Sequence, residues 1–384
     1  MSLRIGLRVL GLSVICQTIG WTTEQKSEPF PELGLVHRDT AAPVLQELWL
    51  LGRYHGQYHV TEGNGDSDSG WEDRRFRLGL QARLFQNLTV HAQMVSGSDF
   101  EPFYNGFTEL WASWKFNDSA TLTIGQQKHR FTHDRNVSSR YINYLERGML
   151  TNMFALDYTP AVTLSGTIGK DWSYYTGVFS NATGRNIGRA FTDLDSGTSF
   201  LASATRDLRE SLGTDTAHVN VAYLRSDANA NATNMNRFDH GLNVALIVTE
   251  GNKSLITEVT AGLEGPGGSA FGMNLQPSIF LTRRLQLVAR YQLAAGEDEQ
   301  SLRAQRRYER PVGLNRGELY QAAYLGANYY LAGHRAKLLT GLEYSRMDSR
   351  DAWTFSVGIR TFFGPHSRAP FPAARLLEPA NVAD

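Results

Sequence analysis

Arginine and serine side chains are the groups in this sequence best suited to bind a ligand. Arg75, Arg77 and Arg83 recur at alternate positions in the run RRFRLGLQARLF, and the later run SSRYINYLERG holds two serines and two more arginines. An arginine presents a planar fork of donors that pairs two oxygens of an oxyanion at once, and it stays charged at physiological pH. Serine hydroxyls add neutral donors. These residue types favour anion binding.

Patterns for covalent or metal chemistry are weak by comparison. The sequence has no G-x-S-x-G or H-E-x-x-H motif and no convincing nucleophile–base pair. His129 and His133 stand four apart, but no third ligand is in register with them. The stretch NGDSDSG at 64–70 lacks the glycine position and the closing glutamate of a calcium loop. We therefore expect no enzyme activity, no metal and no cofactor.

The arginines must be positioned mainly by β-strands, because most of the chain alternates apolar and polar residues with a period of two. In the run RFRLGLQARLF, leucines and Phe76 fall on one face and arginines on the other. The runs ELWLLGRYHGQYHV, RLQLVARYQL and WTFSVGIRTFF repeat this arrangement, and the first of them places Arg53 on the polar face. We count roughly 16 or 17 such runs between Glu47 and Phe363.

One stretch interrupts the alternation. In SSRYINYLERG, residues Ser138 to Gly148, the apolar residues Tyr141, Tyr144 and Leu145 fall at i, i+3 and i+4. This spacing predicts a short helical turn between strands.

Composition and connection lengths narrow the fold class. The formal net charge is zero, so bulk charge predicts no nucleic-acid partner, and Cys16 as the only cysteine excludes an intrachain disulfide. No window approaches 18 consecutive apolar residues, which excludes membrane-spanning helices. Alternation alone fits both a soluble β-sandwich and a membrane β-barrel. Tight turns at 86–87 and 117–119 alternate with long connections at 61–70, 100–106 and 132–152, as in a membrane barrel.

The chain ends differ from the alternating part. Residues 1–25 resemble a secretory signal peptide, since Arg4 and Arg8 precede a short apolar run. We expect a periplasmic lead at 26–45, the transmembrane β-barrel at 46–363 and a flexible, Pro- and Ala-rich extension at 364–384. The charged segment at 296–317 has no alternation and is interpreted as a long loop.

Several runs together resemble the phosphate-selective porins O and P of bacterial outer membranes. These are RRFRLGLQARLF, ELWASWKF, LTIGQQKHRF, SSRYINYLERG, RYERP, YQAAYLGANYYLAGHRAKLLTGLEYSRM and WTFSVGIRTFF, in the same order from Glu47 to Phe363. The resemblance implies an all-β, 16-stranded antiparallel barrel, usually a homotrimer, with a third outer loop folded inward and a lumen lined by basic residues. The third long connection here is the one that holds SSRYINYLERG.

The resemblance also implies a set of anion-binding residues at the constriction. Arg135, Ser138, Ser139 and Arg140 match the loop positions, Arg74 and Arg75 match an arginine pair on the second strand, and Glu109 matches a carboxylate on the far wall. We expect the lumen to be lined by Arg53, Arg77, Arg83 and Lys128. Arg74 has the apolar parity, so it could instead be a loop residue.

The expected function is therefore an outer-membrane porin that lets inorganic phosphate or other small anions diffuse passively, in contact with outer-membrane lipid and without nucleic acid. Few lysines occur, and the assigned lumen face also holds Glu258, Glu264 and Glu343, so a general porin or one preferring sugars or carboxylates is an alternative. An outer-membrane hydrolase, whose Ser, His and Asp meet only in space, and an anchor without a pore are the alternatives from other classes.

Overall fold

A computed structural model describes residue 30 and residues 32–182, 195–265 and 267–365. The predicted signal peptide and nearly all of the predicted C-terminal extension lie outside these residues. The strands are β1 (Leu35–Arg38), β2 (Leu45–Gly63), β3 (Asp66–Leu84), β4 (Leu88–Val95), β5 (Phe107–Asn117), β6 (Ala120–Lys128), β7 (Tyr158–Ile168), β8 (Trp172–Ser180), β9 (Thr198–Asp207), β10 (Thr216–Ser226), β11 (His240–Glu250), β12 (Lys253–Gly265), β13 (Gly268–Phe280), β14 (Leu285–Gly296), β15 (Leu302–Arg303), β16 (Arg316–Gly317), β17 (Leu319–Ala332), β18 (Ala336–Met347) and β19 (Arg350–Phe363).

Helical segments are short and lie in the connections. They are α1 (His133–Asn136), α2 (Met149–Met153), α3 (Arg209–Leu212) and a 3₁₀ turn at Ser98–Phe100. No helix in the described part of the chain is long and apolar enough to cross a membrane.

Sixteen strands, β2–β14 and β17–β19, form one closed antiparallel barrel. Each pairs with its neighbour along the chain, and closure comes from β19 pairing with β2, for example Ser356 with His59. The short strand β1 adds to β2 near its start, and β15 and β16 pair only with each other. A closed barrel leaves no unpaired sheet edge. The predicted 16-stranded antiparallel barrel is confirmed.

The barrel is polar inside and apolar outside. On β11, Leu242, Val244 and Leu246 are exposed, whereas the intervening Asn243 is buried. Large polar side chains on other strands are also fully buried, among them Gln286, Asn328 and Lys337. A soluble sandwich would bury its apolar face instead. The arrangement is therefore that of a barrel whose apolar face meets lipid.

The connections at the two ends of the barrel differ in length. One end, the short-turn end, holds both ends of the barrel chain and compact connections such as 85–87, 118–119 and 251–252. The other, the long-loop end, holds the connections 96–106, 129–157, 227–239 and 297–318. The predicted long connection at 61–70 is wrong, because β2 and β3 continue as a hairpin that turns at Asn64 and Gly65.

Two long connections cover much of the inner wall. The 129–157 loop accepts hydrogen bonds from inward-facing side chains of β2, β3, β14, β17, β18 and β19. The 297–318 loop reaches across to β2 and β3, where Arg307 bonds Glu72 and Tyr308 lies 4.9 Å from the His59 ring. Inward residues of β3 such as Gly79 and Gln81 stay partly exposed, so these two loops do not cover that part of the wall.

Candidate functional site

A β-bulge in β3 turns two adjacent arginines inward. His55 on β2 pairs with Arg75, but the next residue, Gly56, pairs with Asp73, so Arg74 has no partner residue of its own. A bulge adds one residue to a strand and re-aims its side chains. Arg74 consequently reaches the carboxylate of Glu146 in the 129–157 loop, and Arg75 lies 3.4 Å from His55 Nδ1. Arg74 is thus a mid-strand residue, not the loop residue that its parity allowed.

Buried cations on the barrel wall hold the 129–157 loop through its main chain. Arg360 donates to the carbonyls of Ile142 (3.1 Å), Tyr144 (2.6 Å) and Leu145 (2.7 Å). Lys337 donates to Ile142 at 2.9 Å, and Arg290 donates to the Glu146 carbonyl at 2.9 Å. These carbonyls thus bond the barrel wall, and Ser138–Gly148 forms no helix between α1 and α2. The predicted helical turn is limited to one turn at its start, where the Tyr141 N–H donates to the Ser138 carbonyl at 2.9 Å.

The apolar residues of that stretch still pack as their spacing suggested. Tyr141, Tyr144 and Leu145 are all buried. The Tyr144 ring meets Tyr324 edge-on at 5.2 Å, and a Cβ added at Gly358 would lie 2.7 Å from Leu145 Cδ2. A glycine at this inward wall position therefore lets the loop approach the wall closely.

A cavity of about 580 Å³ lies between β3 and the two inward loops, and arginines dominate its lining. Three carboxylates, Glu72, Asp73 and Asp157, share the lining with Ser139 and Tyr158. The seven lining arginines are Arg74, Arg75, Arg77, Arg135, Arg147, Arg306 and Arg307. The predicted residues Arg74, Arg75, Arg77, Arg135 and Ser139 are thus brought together.

Carboxylates bind some of these arginines and leave others without an acidic partner. Arg74 bonds Glu146, Arg307 bonds Glu72 at 2.6 Å, and Arg135 lies 3.6 Å from Asp157. Burial raises the pKa of Glu146, but the charges of Arg74, Arg75 and Arg307 and the hydrogen bonds from Arg74 together outweigh it, so this pKa falls well below the usual range.

Arg75 and Arg77 form no ion pair with any described carboxylate. Arg77 donates to the Tyr158 hydroxyl at 3.0 Å and lies over that ring, and its buried Nε has no partner in the described structure. A buried donor without a partner is costly, and a bound anion or a water would satisfy it. Arg147 and Arg306 also line the cavity without an ion pair to a described carboxylate, so these four arginines are the most available to a passing anion.

Other predicted site residues lie outside this cavity. Arg53 donates to Ser139 Oγ at 2.9 Å, and Lys128 donates to the Asn136 carbonyl at 2.9 Å, so both support the loop. Arg140 bonds Ser138 Oγ at 3.4 Å and the Pro365 carbonyl at 3.0 Å.

The two remaining predicted side chains stand on the strands. The Glu109 carboxylate is 4.0 Å from His91 Nε2, and Arg83 bonds Glu47 at 3.4 Å near the short-turn end. Of the glutamates assigned to the lumen, Glu258 is buried and Glu343 pairs with Arg290 at 2.8 Å. Glu264 is instead largely exposed beside His240, because the ladder is irregular between Gly262 and Gly265.

Sequence reasoning missed the arginines that the 297–318 loop supplies. A second cavity of about 450 Å³ shares Arg74, Arg306 and Arg307 with the first and adds Arg303 and Arg310. The available signal is the run RAQRRYER, which lies in the charged segment at 296–317 and holds four arginines. Among the described residues, no group of three or more His, Asp or Glu could hold a metal ion.

Comparison with known proteins agrees with this architecture. The family model for phosphate-selective porin O and P matches residues 50–262. A search of curated proteins finds no match. Among solved structures, the chain resembles OprB of Pseudomonas putida with a TM-score of 0.60 and 12% identity, covering 82% of this chain and 94% of that one.

Two further solved structures share the fold. DcaP of Acinetobacter baumannii has a TM-score of 0.56 and 13% identity, with 83% and 97% of the two chains covered. The trimer form of OmpT of Vibrio cholerae has a TM-score of 0.52 and 13% identity, with 82% and 99% covered. The family model spans more than half of this chain, and the barrel is the one such a family requires. The protein therefore belongs to the phosphate-selective porin O and P family and is an outer-membrane porin, not an enzyme.

Proposed function

We propose that the pore conducts anions in preference to cations and that phosphate or a related oxyanion is its solute. The observation that carries this proposal is the 580 Å³ cavity with seven arginines and three carboxylates in its lining. Positive charge in a cleft with low-dielectric walls raises the local concentration of anions and excludes cations. Arginine forks also match the oxygen geometry of phosphate.

The arrangement of these arginines favours passage of an anion over its tight binding. Arg75 and Arg77 present donors without acidic partners, while Arg74, Arg135 and Arg307 are partly neutralised by Glu146, Asp157 and Glu72. Conduction needs sites that attract a solute and still release it. The proposed contact set keeps Arg74, Arg75, Arg135 and Ser139 and adds Arg77. Ser138, Arg140 and Glu109 form a second group outside the cavity lining.

Planar-bilayer recording under a KCl gradient tests the proposal. We expect a reversal potential that shows anion preference and a chloride current that phosphate reduces. The double variant with Arg75→Gln and Arg77→Gln should lower the anion preference. The control variant Arg346→Gln should not, because Arg346 is exposed and bonds the Asp348 carbonyl. Cation preference of the unaltered pore would refute anion selectivity, and phosphate without effect on chloride current would refute phosphate binding.

A general pore, or one that prefers sugars or carboxylates, is the alternative. The carboxylates Glu72, Asp73 and Asp157 in the lining favour it, because they reduce the net positive charge of the cavity. A liposome-swelling series with neutral sugars and organic acids of matched size separates the two functions. Faster entry of the sugars than of the anions would favour the alternative.

We also propose a homotrimer in outer-membrane lipid, supported by the trimer form described for OmpT of Vibrio cholerae, which shares this fold. The mass of the protein in detergent, measured by light scattering during size-exclusion chromatography, tests it. A monomeric mass at all detergent and protein concentrations would refute it.

A further inference from the structure

We propose that the Glu146 carboxylate acts as a resident anion, that is, an anion of the protein itself that occupies a binding site on Arg74. By occupying this site it sets how tightly permeating oxyanions are bound there. The inference rests on the proposed anion preference. It concerns a site built from Arg74 and Gln57 on the wall, which free carboxylate or phosphate would occupy if the Glu146 side chain were absent.

The Glu146 carboxylate is held as a bound oxyanion would be. Arg74 donates to both of its oxygens, from Nε to Oε1 and from Nη2 to Oε2 at 3.1 Å. Gln57 adds a donor to Oε1 at 3.1 Å. The side chain is only 8% exposed and lines the 450 Å³ cavity together with the arginines of the 297–318 loop. A two-pronged contact with a guanidinium is the geometry that carboxylate and phosphate ligands share.

The carboxylate is tethered at this position. Its own carbonyl accepts from Arg290 at 2.9 Å, and the preceding carbonyl, of Leu145, accepts from Arg360 at 2.7 Å. A ligand tethered beside its site acts at high effective concentration. A solute must therefore compete with Glu146 for Arg74, which weakens solute binding and speeds release.

A purely structural ion pair is the competing explanation, and the contacts on the page separate the two. The loop is fastened by main-chain bonds to Arg360, Lys337 and Arg290 that do not involve the Glu146 carboxylate. Removing that carboxylate should leave the loop docked while exposing the donors of Arg74. A structural role predicts a looser loop; a resident-anion role predicts a tighter solute site.

The test is the block of chloride current by inorganic phosphate and by acetate in the full-length channel carrying Glu146→Gln or Glu146→Ala. We expect the half-blocking concentration of phosphate to fall by about tenfold or more in both variants, because a freed buried arginine regains its charged hydrogen bonds from the solute. Acetate should block Glu146→Ala more strongly than the unaltered channel, since it replaces the missing side chain. Adding Arg74→Gln to either variant should restore the weaker block.

Glu47→Gln is the matched control. It removes one negative charge from the wall near the short-turn end, and its partners Arg38 and Arg83 line neither arginine cavity. We expect its half-blocking concentrations to stay unchanged. Equal block in Glu146→Gln, Glu146→Ala and the unaltered channel would overturn the inference and leave the anion preference of the unaltered pore intact. An equal shift in the Glu47→Gln control would do the same. A cation-preferring unaltered pore would instead overturn the proposed function.

Discussion

Loss of the Arg360 guanidinium should release the 129–157 loop from the barrel wall. In Arg360→Gln, carbonyls of Ile142, Tyr144 and Leu145 lose donors at 3.1, 2.6 and 2.7 Å. Hydrogen bonds to charged groups contribute roughly 1.5–3 kcal/mol each, and the cost of burying the arginine offsets part of that sum. We expect a net loss of about 2–3 kcal/mol in loop docking, which raises the ratio of undocked to docked loop about 30- to 150-fold.

Hydrogen exchange of the loop amides measures that ratio directly, because local opening governs their protection. Protection around Ile142–Leu145 should fall by the same factor, and single-channel records should show added openings of higher conductance. Arg346→Gln is the control, since its side chain is exposed and bonds only the Asp348 carbonyl among the described groups. Unchanged protection in Arg360→Gln would refute the idea that cation–carbonyl bonds hold the loop.

Two more predictions concern the contacts that seat the inward loops. Burial, reinforced by the nearby Glu343, raises the pKa of Glu309 to about 7, so docking of the 297–318 loop should be fully stabilised below about pH 4.5 and weaken as pH rises through about 7. Proteolysis of this loop between pH 5 and 8.5 should show that weakening, and Glu309→Gln should remove the pH dependence; a pH profile identical in the variant would contradict it. Gly358→Ala brings a Cβ to 2.7 Å from Leu145 Cδ2 and should destabilise the loop by about 1–3 kcal/mol. Leu145→Ala in the same chain should recover part of that loss in thermal unfolding, and no recovery would show that the clash lies elsewhere.

The alternation of apolar and polar residues predicts most of the fold. Arg53, Arg77 and Arg290 point inward as alternation requires, and their lipid-facing neighbours are apolar, because side chains of a strand alternate strictly wherever pairing is regular. Where pairing is irregular the rule fails. Arg74 turns inward at a bulge, and Glu264 turns to the rim at another irregularity, and neither is visible in residue types alone.

Contacts between segments that are far apart in sequence were the second feature that the sequence could not predict. The period of Tyr141, Tyr144 and Leu145 correctly marked a buried face. Only one turn forms there, however, and the carbonyls that follow it bond Arg360 and Lys337 on the wall. The arginines of the 297–318 loop meet Arg74 only because that loop crosses to β2 and β3. A local pattern holds no information on such a crossing, so these arginines were missed as part of the site.

The hydrogen bonds that Arg360 and Lys337 donate to the 129–157 loop also bear on the order in which the barrel assembles. Arg360 stands 218 residues beyond Ile142 along the chain, on the last strand, and Lys337 stands 195 residues beyond it. Contacts so far apart in sequence form late. Earlier strands also bond the loop, but the hydrogen bonds to its carbonyls from Arg360 and Lys337 are complete only when the final hairpin is in place. Closure of the barrel and completion of the contacts that hold this loop are thus one event.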